Sequence, residues 1–174
     1  MVKHMLFLRW WLFIVLVSLG GYIAYSFGVF HEAWEQDQTK LSFVIVAIFS
    51  FISLWCGSAT WAVSRSFGKK GIPEEALKKI EYAEDTGWFV SDMLLNLGMI
   101  GTVCGFIMML MGGFGGVDVA NPASVQTMLS KLSAGMATAL YTTLAGLITC
   151  VLLKMQCFNL GQGIEKLRAD ETIK

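Results

Sequence analysis

The chain has 174 residues, of which 55% are hydrophobic and only 15% charged. That balance excludes an ordinary soluble domain, which needs more charge to cover its surface. Lys+Arg and Asp+Glu stand at 13 each, so no bulk basic signal marks the chain for nucleic acid.

Four long stretches carry no Asp, Glu, Lys, Arg or His: Trp10–Phe30, Leu41–Val63, Met93–Val117 and Leu132–Leu153. A helix needs about 20 apolar residues to cross a hydrocarbon core of about 30 Å, and all four reach that length. Backbone polar groups cannot face lipid unpaired, so each stretch is expected to be helical. The fold predicted is an all-α membrane protein with four transmembrane helices and helical extensions, forming one domain over 1–174.

The first stretch, 10–30, follows Lys3 and Arg9. A cleaved signal peptide would share that pattern. The run is too long for a typical signal core, so a retained helix is expected. The loop His31–Lys40 is acidic, with Glu32, Glu35 and Asp37 against Lys40. The second stretch, 41–63, has no polar signature, and the first two stretches both read as lipid-facing support.

The loop 64–92 holds Arg65, Lys69, Lys70, Lys78 and Lys79. Ile72-Pro73-Glu74-Glu75 reads as a helix start, with Pro tolerated in the first turn and acids favoured at the positive end. Glu74/Lys78 and Glu75/Lys79 are i,i+4 pairs in the better orientation. Leu77, Ile80, Glu84 and Trp88 make only a thin apolar stripe. A solvated helical extension is therefore expected to run towards the third span, with Gly87 as a candidate bend.

In the third stretch, 93–117, Gly98, Gly101, Gly105 and Gly112 group on one side, with Thr102 at the edge. Gly101–Gly105 is a GxxxG, a motif that commonly serves helix packing alone. After a short loop with Asp118 and Lys131 comes the fourth stretch, 132–153. On a wheel of 100° per residue, Gly135, Thr138, Ala139, Thr142, Thr143, Gly146, Thr149 and Cys150 cover one arc of roughly 140°. A face of small residues admits a second helix closely, and threonine hydroxyls can bond across to it. The same hydroxyls can hydrate or coordinate an ion if the face lines a cavity, or can bond to their own backbone with no further role.

The tail 154–174 carries Lys154, Lys166, Arg168 and Lys174 and is expected to prolong the fourth helix. The N-terminus, the loop 64–92 and the tail hold eleven basic residues against two in the other loops. The positive-inside rule then places both termini and the loop 64–92 in the cytoplasm. Trp10, Trp11, Trp34, Trp61 and Trp88 fall near the expected interfaces, where amphipathic rings settle.

No ionisable side chain lies inside a predicted span. Intramembrane acids mark the ion pathways of pumps and transporters, so a self-contained coupled transporter is not expected. No Ser/His, Cys/His or paired-carboxylate constellation is visible, so no enzyme is expected. Cys56, Cys104, Cys150 and Cys157 form no CxxC pair, and no metal site is expected; they read as small apolar packing residues.

The third and fourth stretches resemble the MotA/TolQ/ExbB family of ion-driven motor subunits. Leu97-Gly-Met-Ile-Gly-Thr-Val-Cys-Gly105 is similar to the family's LGLLGTVxG element. Gly135-Met-Ala-Thr-Ala-Leu-Tyr-Thr-Thr-Leu-Ala-Gly-Leu147 is similar to its A-L-x-x-T-x-x-G-L element. The resemblance covers about residues 92–157, and the pair of motifs at this separation is more specific than either alone.

The resemblance implies a homopentamer in a bacterial inner membrane, surrounding two copies of a single-span partner of the MotB/TolR/ExbD type. The partner's intramembrane Asp would carry the ion, H⁺ or Na⁺, with no other cofactor. Thr102 and Thr143 match the family's two pore threonines, with Thr142 and Thr138 beside them. Gly98, Gly101, Gly105, Gly135, Ala139 and Gly146 would pack against the partner helices. Thr138 stands where ExbB and TolQ carry Glu, and the loop 64–92 is far shorter than the rotor-engaging segment of MotA. A structural four-helix scaffold and a small multidrug-type transporter are the competing expectations.

Overall fold

The computed structural model describes residues 2–37, 39–66, 74–113 and 122–172. Lys69, Lys70, Pro73, Asp118, Asn121 and Lys174 lie outside these residues, as does the end of the third predicted span at 114–117. The elements are α1 (Val2–Ser26), α2 (Val29–Gln36), α3 (Leu41–Ser66), α4 (Glu74–Gly113) and α5 (Pro122–Thr172). No strand occurs among the described residues.

Three helical segments are long and apolar enough to cross a membrane: Leu41–Ser64, Leu77–Met111 and Pro122–Lys166. They contain the second and fourth predicted spans and the third as far as Met111. The first differs. Its helix stops at Ser26 rather than Phe30, leaving Trp10–Ser26 as the apolar part. Gly28 is the cause: its φ of 74° is left-handed, which a right-handed helix cannot carry through. The Gly28 N–H donates to the Tyr25 carbonyl at 3.0 Å, and His31 N–H donates to the Gly28 carbonyl at 2.9 Å, so one turn ends α1 and opens α2.

The expected extensions are continuous helix. α4 has 40 residues and α5 has 51, and α4 is unbroken at Gly87. At 1.5 Å per residue these are rods of about 60 and about 76 Å. One expectation is corrected here. The segment before the third span is not simply solvated, because Ile80, Ala83, Gly87 and Ser91 are buried along one face. Small residues make that face, and a stripe judged by large apolar side chains overlooks them.

The chain forms two compact units. One comprises Met1–Ile23, Ile48–Asp92 and Cys150–Lys174, and the other Ala24–Ala47 and Met93–Thr149. In the first unit, Ala59 and Val63 of α3, Ile80 and Ala83 of α4, and Leu160 and Ile164 of α5 form a closed apolar cluster, with Leu77 against it. α3 is thus a core element and not only lipid-facing support. Gln156 Nε2 donates to Ser53 Oγ at 2.9 Å across the buried contact of α5 with α3. Gly57 leaves the space that the Trp10 indole occupies. Charged pairs trim the edge: Lys154 Nζ lies 2.7 Å from Asp92 and 5.7 Å from the Trp88 ring centre, and Arg168 pairs with Glu81.

In the second unit, the entry to α3 is tied by Asp37, only 1% exposed. Its Oδ1 accepts from Thr39 N–H at 3.1 Å and Thr39 Oγ1 at 2.8 Å, and its Oδ2 accepts from Ser42 N–H at 3.0 Å. These bonds satisfy donors that the helix start would otherwise leave unpaired. Lys40 Nζ sits 3.8 Å from the Trp34 ring centre, and Trp34 meets Phe43 edge-on at 4.9 Å. The rest of this unit is the contact of α4 with α5.

Candidate functional site

The two sequence motifs meet face to face in the second unit, on antiparallel stretches of α4 and α5. Missing side chains set the spacing. A Cβ placed on Gly98 would stand 3.1 Å from the Thr142 carbonyl oxygen and 3.2 Å from the Gly146 Cα. One on Gly146 would stand 2.9 Å from the Leu94 oxygen, and one on Gly105 would be 2.8 Å from both Ala139 N and Gly135 O. On Gly101 it would collide with the Thr142 side chain. Backbone therefore touches backbone along three turns, the close approach that small residues permit in an apolar medium.

Gly98, Gly101, Gly105, Gly135, Ala139 and Gly146 are thus all brought together, and their near neighbours belong to the same chain. Leu94, 1% exposed, and Met109 complete the contact. Neither residue carried a sequence signal beyond its helical spacing from Gly98 and Gly105.

The four threonines divide into two kinds. Thr138 and Thr142 are fully buried. Thr142 Oγ1 donates within its own helix to the Thr138 and Ala139 carbonyls at 3.0 and 3.1 Å, and Thr138 Oγ1 donates to Ala134 at 3.1 Å. Thr102 and Thr143 are only partly buried. Thr102 Oγ1 donates to the Met99 carbonyl at 2.5 Å. Thr143 Oγ1 donates to Ala139 at 3.1 Å and reaches across to the Gly98 carbonyl at 3.4 Å.

Thr102 follows Gly98 by one helical turn, about 6 Å along α4. The hydroxyls of Thr102 and Thr143 therefore lie at the same stretch of the α4–α5 seam. Each hydroxyl spends its proton on a carbonyl and keeps oxygen lone pairs to offer. At a partly open position those lone pairs can hydrate or coordinate a cation; at Thr138 and Thr142 burial closes that option.

The seam itself is uncharged. From 93 to 113 on α4 and from 132 to 153 on α5 there is no Asp, Glu, Lys, Arg or His. No group of three or more His, Cys, Asp or Glu that could hold a metal occurs among the described residues. What the arrangement offers is a rigid, closely packed pair of helices with neutral oxygen ligands at its rim. In comparisons with known proteins, the chain matches no family model, no curated protein and no solved structure.

Proposed function

We propose that the chain is the channel-lining subunit of a proton- or sodium-driven membrane motor of the MotA/TolQ/ExbB type. On this reading it crosses a bacterial inner membrane four times, with α1 as a short first span and both termini in the cytoplasm. Five copies would surround a dimer of a single-span partner. The rim hydroxyls of Thr102 and Thr143 would hydrate the ion, and the partner's carboxylate would carry it.

The observation that carries the reading is the pairing of the two motifs. The Gly98–Gly105 and Gly135–Gly146 faces form one seam, and the two threonines that match the family's pore positions are the ones left partly open. The uncharged seam agrees, because the titrating group then has to come from a second chain.

A structural scaffold is the second reading. It is favoured by Thr138 and Thr142, whose burial and intrahelical bonds are what packing alone requires.

The test is ion flux through vesicles containing the chain and its partner. Thr143→Val is expected to abolish flux while the oligomer still assembles, and Thr143→Ser to retain it. Normal flux in the valine variant would remove the pore assignment and leave the scaffold.

A further inference from the structure

Three helices of the first unit meet at Cys56 of α3, Gly87 of α4 and Cys157 of α5. Both thiols are free and buried, at 2% and 0% exposure. Cys56 Sγ donates to the Ala83 carbonyl of α4 at 3.9 Å, and both sulfurs border the hollow over Gly87. Gly87 makes the room: a Cβ there would run into Cys157 Sγ and stand 3.2 Å from Cys56 Sγ.

Two sulfurs that border one Cβ-sized hollow are close neighbours, and rotation about their Cα–Cβ bonds is the motion that would bring them to the S–S bond length of about 2.05 Å. The Lys154–Asp92 ion pair stands one turn before Cys157 on α5, with both side chains partly exposed. A charged, partly exposed pair therefore lies within a turn of Cys157, and thiol exchange proceeds through a thiolate.

We propose that Cys56 and Cys157 are a redox-active dithiol that closes into an intramolecular disulfide by exchange with a small apolar disulfide. One cysteine thiolate attacks a sulfur of the oxidant, forming a mixed disulfide and releasing one small thiolate. The second cysteine thiolate then attacks the protein sulfur of that mixed disulfide. The Cys56–Cys157 bond forms, the second small thiolate leaves, and the two cysteine protons end on the two released thiols. The protein loses two electrons and the oxidant gains them. The product links α3 to α5 across the face of Gly87. This proposal is independent of any motor function.

The experiment uses the full chain in detergent with Cys104 and Cys150 replaced by serine, treated with 4,4′-dithiodipyridine. Two thiopyridone molecules released per chain are expected, with a mass lower by two hydrogens and a peptide joining Cys56 to Cys157. Reduction should restore both thiols. A retained pyridylthio group, a disulfide between two chains, or two thiols that react only after denaturation would each overturn the proposal. Gly87→Ala, whose methyl occupies the Cys157 position, should slow closure several-fold. Closure at the parent rate in that variant would overturn the role given to the three-helix contact.

Discussion

Thr142 and Thr143 are neighbours in sequence with opposite environments. Thr142 fills the hollow over Gly101 and is fully buried, while Thr143 stands at the rim and reaches the Gly98 carbonyl. The wheel groups both on one small-residue arc and has no means of ranking them. Only the position of the opposing glycine does so. Thr142→Val is therefore expected to keep most of the flux that Thr143→Val removes, in the same vesicle measurement. Asp37 poses a second question at this scale. Its acidic loop reads as topology, yet the carboxylate is buried and holds three donors at the entry to α3. Asp37→Ala should cost about 1–2 kcal/mol, as loss of a helix-capping acceptor does, and Asp37→Asn less. Thermal unfolding in detergent measures both.

α4 shows how much of an element its sequence reveals. The buried positions Ile80, Ala83, Gly87, Ser91, Leu94, Gly98, Gly101 and Gly105 follow one another in steps of three and four. The glycine end of this stripe is legible because four glycines on one side of an apolar helix have few other uses. The Ala83, Gly87 and Ser91 stretch is not, because small residues add little hydrophobicity and the charged residues around them suggest solvent. α1 fails for another reason: hydropathy sees no difference between Gly20, inside the helix, and Gly28, which ends it. Close approach makes a direct prediction. Gly105→Ala should destabilise the fold by about 1–3 kcal/mol, the usual cost of overpacking. Gly20→Ala, which has open space around its Cβ, should be neutral or stabilising by up to about 1 kcal/mol through helix propensity. Equal melting shifts for the two would show that the α4–α5 seam is not tight in solution. Ser53→Ala removes the acceptor of Gln156 and should cost about 0.6 to about 1.7 kcal/mol, the range of interhelical bonds in membranes.

For the whole molecule, the long apolar runs carry the helical, membrane-type architecture, because length and hydropathy alone decide which segments can cross a bilayer. Assembly is different. It depends on which apolar faces meet lipid and which meet another copy, and Met136, Leu140, Leu144, Val103 and Phe106 are exposed without distinguishing the two. Particle symmetry in purified material decides it. Five-fold particles are expected, and two-fold particles would exclude the motor reading.

The uncharged seam has a further consequence, for voltage. A membrane potential does work of about 2.3 kcal/mol per 100 mV on each elementary charge that it moves through the bilayer. Between 93 and 113 and between 132 and 153 this chain offers the field no side-chain charge to move. The seam's side chains give the field nothing to act on, so on the proposed reading the voltage dependence comes from the moving ion or from a carboxylate on another chain. Replacing residues of the seam with other neutral ones should alter conductance and leave its voltage dependence unchanged.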